Sequence, residues 1–261
     1  MIALLAIVAL IVGTLIGSVG VGGILLIPAL SAFAHLSTRV AMSTALFSFI
    51  FTGVVGTYMF QRRGSIDWRV TIPVCLGAVF FGYLGALVNA KVNVVLLNLI
   101  LSLIIIFAGI YTSRPAKSRS SGHLDGRSRA QKIALFGIGA AVGFGSGLTG
   151  VGGPVLSVPM MVIIGFAPLT AIATSQVIQI VAALSGTVGN LAYGSIDFAV
   201  GAGVTFVELV GVLIGVRIAH SAKTHQLRNF VAVVCMLVGG MIFIRSSGIA
   251  GIIWSYVEVL F

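Results

Sequence analysis

Few side chains in this 261-residue chain could do chemistry, because Asp and Glu together number only 5. Glu208 is the one acidic residue in the middle of an apolar run. A carboxylate in hydrocarbon is costly and marks a functional position by default. Glu208 is therefore a candidate proton carrier, against the plainer reading of an uncharged Glu hydrogen-bonded between helices. The second constellation is glycine. "GSVGVGG" at 17–23 recurs as "GLTGVGG" at 147–153, each inside an apolar segment. Helices restarting near Gly22 and Gly152 would aim free amides and their dipole at the break, which favours an anion. Absence of a side chain also lets a ligand approach the backbone. Gly20, Gly22, Gly23, Gly150, Gly152 and Gly153 are thus candidate substrate-binding positions.

Hydroxyl and amide groups follow each break. Ser43 and Thr44 stand in one place, and Thr174, Ser175, Gln176 and Gln179 in the other. Thr44, Thr174, Ser175 and Gln176 are candidate hydrogen-bond donors to a bound oxyanion, Thr44 and Thr174 being a matched pair. The competing reading is that the glycines permit close helix packing and the polar groups bond helix to helix, as both commonly do in membranes.

Other chemistry is excluded. No HExxH or GxSxG is present, and no nucleophile and base stand at a supporting spacing, so no enzyme is expected. His35, His123, His220 and His225 fall in loops or at run ends. Cys75 and Cys235 lie in apolar runs without metal-ligand spacing. Neither metal nor cofactor is expected. Gly145, Gly147 and Gly150 satisfy GxGxxG, but a dinucleotide site needs a preceding strand and a later acid. There is no Walker A motif. The net charge of +10 comes without aromatic-basic interleaving, so no nucleic acid partner is expected.

The elements that must position these groups are helices in a lipid bilayer. The chain is 59% hydrophobic and 8% charged, with a mean hydropathy of +1.19. Soluble domains carry about 25% charged residues. Apolar runs cover about 2–18, 22–36, 40–60, 69–90, 92–112, 131–147, 152–166, 170–192, 198–219 and 225–244. A perpendicular helical span takes about 20 residues, and the runs flanking each glycine motif are shorter. "MIALLAIVAL" is apolar from residue 1 without a basic leader region, so the first segment is expected to stay in the fold.

Sliding the chain by 130 positions superimposes Gly13, Gly17, Gly20, Val21, Gly22 and Gly23 on Gly143, Gly147, Gly150, Val151, Gly152 and Gly153. Thr44 then meets Thr174, and "GSID" at 64–67 meets "GSID" at 194–197. Identity in a polar loop at the same offset marks an internal duplication. The expected organisation is a first membrane repeat, 1–112; a basic linker, 113–130; a second repeat, 131–247; and an amphipathic tail, 248–261. Glu208 falls on Ala78 and breaks the symmetry. Asp67 and Asp197 are expected as turn or helix N-cap residues.

Charge orients the chain. The linker carries Arg114, Lys117, Arg119, Arg127, Arg129 and Lys132, and basic loops face the cytoplasm. Walking outward from it leaves only Arg39, Lys91 and Arg245 of the 15 basic residues outside. "GSID" of the first half then lies inside and that of the second half outside. The expected fold is an all-α polytopic membrane protein with two inverted-topology repeats of about five helical segments each, opening on short Gly-broken helix pairs. Such repeats are a common plan of secondary transporters.

The repeated glycine openings, the prolines that follow them (Pro28, Pro159), the threonines and the paired "GSID" resemble the TauE/SafE family of sulfite exporter-like permeases over about residues 5–245. The resemblance implies a permease of the bacterial or archaeal inner (cytoplasmic) membrane for small sulfur-containing anions, such as sulfite or organosulfonates. Its partners would be that anion and the lipid bilayer, with the oligomeric state open. An anion channel-like pore is the alternative. A membrane enzyme or scaffold is the third reading, disfavoured by the missing catalytic groups.

Overall fold

The computed structural model describes residues 2–20, 22–113, 128–164, 166–193, 195–220 and, further on, 233, 236–237, 239–244 and 246–247. Most of the expected linker, most of the last apolar run and the tail lie outside the described residues. Among those described, every regular element is a helix. They are α1 (Ile2–Ser18), α2 (Leu26–Phe33), α3 (Thr38–Arg62), α4 (Trp68–Lys91), α5 (Val94–Ser113), α6 (Arg129–Thr149), α7 (Gly153–Ile164), α8 (Pro168–Tyr193) and α9 (Phe198–Ala219). A 3-10 turn, Gly22–Leu25, leads into α2.

Five helices are long and apolar enough to cross a membrane: α3, α4, α6, α8 and α9. One of them departs from the sequence expectation. The run before the second glycine motif counts as short on apolar residues alone, but α6 is 21 residues long. Arg129 and Ala130 extend the helix before the apolar run, and Leu148 and Thr149 extend it after. A helix-forming polar side chain such as Arg129 does this at a membrane boundary because the backbone gains hydrogen bonds while the charge stays in water.

Helix ends follow local chemistry. Asp67 caps α4 by accepting from the Arg69 amide at 2.9 Å. Asp197 caps α9 by accepting from the Val200 amide at 3.0 Å. Both satisfy first-turn donors that have no partner within the helix. Pro168 opens α8, where a missing N–H costs nothing.

The packing is crossed between the halves. α1 lies along α9, and α6 lies along α4, while α3 and α8 pack on each other and between those pairs. Glycine makes both crossings close. A Cβ on Gly17 would stand 2.7 Å from the Val212 carbonyl oxygen, and one on Gly147 would overlap the Gly82 carbonyl. Close backbone approach of this kind substitutes dispersion for the hydrophobic drive that lipid removes.

Sidedness matches a bilayer. Phe206 is 74% exposed and Phe80 66%, on outward helix faces. Ser48, Thr52, Thr174, Gln176, Gln179 and Glu208 are buried. Large apolar groups outside and polar groups inside reverse the soluble pattern and suit a lipid-facing surface around an interior polar seam.

Candidate functional site

Both glycine breaks are real interruptions. Gly20 adopts φ +80°, Gly150 φ +70° and Gly152 φ +85°. L-residues with a Cβ disfavour that region. α1 ends at Ser18, and the chain turns through Val19 and Gly20 to restart as the 3-10 turn at Gly22. α6 ends on Gly150 as its left-handed cap, and α7 restarts at Gly153.

The breaks come together from the two halves. A Cβ on Gly23 would lie 3.1 Å from the Val151 carbonyl oxygen. Each break also packs on the long central helix of the other half. Gly20 faces Ser175 of α8, 3.6 Å from its Cβ position to the Ser175 Oγ, while Gly150 faces the Met42 backbone of α3. Phe49 of α3 stands between them, touching both Gly23 and Gly152.

Helix ends leave carbonyls without amide partners, and side-chain amides supply them here. Gln176 Nε2 donates to the Ile16 carbonyl at 3.1 Å, across the halves. Asn89 Nδ2 donates to the Leu148 carbonyl at 2.6 Å. Away from any helix end, Gln179 Nε2 donates to the Phe49 carbonyl inside α3 at 3.0 Å and to Thr52 Oγ1 at 2.7 Å. Gln176 Oε1 is buried with no partner among the described residues, a spare acceptor beside the first break.

The threonine pair sits elsewhere in the same seam. Thr44 Oγ1 accepts from the Asp197 amide at 3.0 Å. Thr174 Oγ1 lies 3.1 Å from Thr71 Oγ1, whose hydroxyl donates to the Asp67 carbonyl at 2.8 Å. Each threonine therefore holds the start of a helix from the other half. Ser175 Oγ donates to the Ile172 carbonyl within α8 at 2.7 Å. Gly22 is packed against α1, and Gly153 against the Gln179 backbone.

Glu208 is fully buried, and neither carboxylate oxygen has a hydrogen-bond partner among the described residues. The Ser48 hydroxyl lies alongside but donates to the Ala45 carbonyl at 2.9 Å. A buried carboxyl without a partner costs stability. Arg217, nine positions later, is exposed near the end of α9.

At the Asp67 end of the molecule a cavity of about 660 Å³ opens between Gly64–Arg69 and the α8 residues Leu169 and Thr170. The Thr71–Thr174 contact lies one helical turn further along α4 and α8.

Sequence reasoning missed Phe49 and Asn89. A signal for Phe49 existed: the 130-residue offset places it on Gln179, so it stands at a matched, interior position.

Taken together, buried polar groups at paired helix breaks inside an apolar-faced helical body define a polytopic membrane protein of the transporter class. The match to known proteins is direct. The chain fits the model of the sulfite exporter TauE/SafE family over residues 5–242, and it belongs to that family. It is similar to the probable membrane transporter protein YunE of Bacillus subtilis, 25% identical over 90% of this chain and 95% of that one. YdhB of the same organism, also a probable membrane transporter protein, is 26% identical over 81% and 84%. A probable membrane transporter protein of Methanocaldococcus jannaschii is 27% identical over 75% and 79%. No solved structure matches the chain. The family assignment makes this a membrane transporter and not an enzyme.

Proposed function

We propose that the protein is a secondary permease of the cytoplasmic membrane that carries a small sulfur-containing oxyanion, such as sulfite or an organosulfonate. The anion binds where the two glycine breaks meet, and two inverted repeats alternate access to it. The observation that carries this reading is the convergence of the breaks, with Gly23 of one half against the Val151 carbonyl of the other. Discontinuous helices from paired repeats are how transporters build anion sites near the bilayer midplane. The backbones of Gly20, Gly22, Gly23, Gly150, Gly152 and Gly153 and the side chains of Ser175 and Gln176 form the site. Thr44 and Thr174 position it through the starts of α9 and α4.

Two contacts support inversion. Thr44 near the start of α3 meets Asp197 at the start of α9, and Ser65 just past α3 meets His220 just past α9 at 3.2 Å. α3 and α9 therefore run the same way, and Asp67 and Asp197 stand at opposite ends. The charge bias then places the Asp67 end and the basic linker in the cytoplasm. The 660 Å³ cavity is the cytoplasmic vestibule. Single cysteines at Ser65 and Ser195, in a background lacking Cys75 and Cys235, label from opposite sides on this reading. Labelling from one side would end it.

Glu208 is the proton-coupling residue. Flux of sulfite and sulfoacetate in proteoliposomes, with and without a pH gradient, tests transport and coupling together. Saturable flux that responds to the gradient is expected. Glu208→Gln should remove the response while leaving the anion dependence. Non-saturating flux would make the protein a pore.

A further inference from the structure

We infer that the Phe49 side chain sets the size of anion the protein carries, by filling the space between the two breaks until substrate displaces it. The inference rests on the placement of the anion at those breaks. Phe49 is 1% exposed. A Cβ on Gly23 would come within 2.8 Å of its Cζ, and one on Gly152 within 3.1 Å of its Cδ2. Glycine at both positions thus makes room for one ring, which has a break on each of two sides. The backbone beneath the ring is held from the other half, since Gln179 Nε2 donates to the Phe49 carbonyl.

The matched position makes the ring stand out. Gln179 is the repeat counterpart of Phe49 at the 130-residue offset. Gln179 presents its backbone to Gly153, where Phe49 presents its ring to Gly23, the counterpart glycine. One wall of the space is therefore lined by backbone and the other by an apolar plug. An anion reaching the amides of both breaks must move that plug, and the room it vacates bounds the ligand. A small trigonal or tetrahedral oxyanion needs less of that room than one bearing an organic tail.

The test is a graded series, Phe49→Leu, Phe49→Ala and Phe49→Trp, in proteoliposomes, reading the ratio of sulfoacetate to sulfite flux. Phe49→Leu should raise the ratio about tenfold, the scale that side-chain volume in a pocket supplies. Phe49→Ala should raise it further, and Phe49→Trp should lower it. Phe49→Leu and Phe49→Trp keep bulk at the position, so they report even if the alanine variant does not fold. An unchanged ratio in folded Leu and Trp variants overturns the inference. A separate arm guards the underlying reading: sulfoacetate should protect a cysteine at Ser18 or Thr149, beside the breaks, from a thiol reagent. Protection with an unchanged ratio rejects the role of Phe49 alone. Absence of protection rejects the site at the breaks and the inference with it.

Discussion

The crossing of α1 on α9 and the crossing of α6 on α4 are one contact made twice. Gly13 meets the Glu208 backbone, and Gly143, its counterpart, meets the Ala78 backbone. The main chains approach closely at both, yet one crossing buries a carboxylate and the other a methyl group. The backbone frame is therefore independent of the side chain at the crossing. The breaks teach the same lesson. Both turn through glycine with positive φ, but the first leaves a carbonyl for Gln176 and the second one for Asn89. Symmetry governs where the helices end, and individual side chains decide what each end can do.

The largest expected effect breaks both crossings alike. Gly13→Val and Gly143→Val force a branched side chain into backbone, and each should cost about 3 kcal/mol or more. Loss of folded protein by size-exclusion in detergent would show it, and a tolerant Gly143→Val would separate the two crossings. Next, Gly150→Ala should cost about 2 kcal/mol, a strained φ plus overlap. Its Cβ would lie 2.7 Å from the Met42 backbone, whereas that of Gly20 meets only side chains, those of Val158, Pro154 and Ser175. Gly20→Ala should therefore cost less, and thermal unfolding of the two variants ranks them. Glu208→Leu should stabilise by about 1–2 kcal/mol, since a buried group without partners is removed. A lowered unfolding temperature would mean that the carboxylate is bonded after all. Smallest and most equal are Asp67→Ala and Asp197→Ala, each losing one cap worth about 1 kcal/mol.

Much of this was legible before any coordinates. Repeated glycine motifs located the interruptions, because a helix pays for each glycine it holds. Aspartates preceding apolar runs marked the starts of α4 and α9. What escaped was anything that depends on pairing between distant segments. Gln176 reaches a carbonyl 160 positions away, and no periodicity encodes that. Phe49 looks like any membrane phenylalanine until the breaks are seen on either side of it. The length of α6 escaped for a simpler reason, since the apolar run of 131–147 is two residues shorter at each end than the helix, Arg129–Thr149.

We propose that the two breaks wall a single anion site. Single cysteines at Ser18 and at Thr149, in a background lacking Cys75 and Cys235, place one reporter beside each break. Both native residues are buried, so modification reports on the working protein as it opens. Sulfoacetate is titrated against reaction with a membrane-permeant maleimide. Both cysteines are expected to be protected with the same half-protecting concentration. Protection at one break alone, or at two different concentrations, would contradict it.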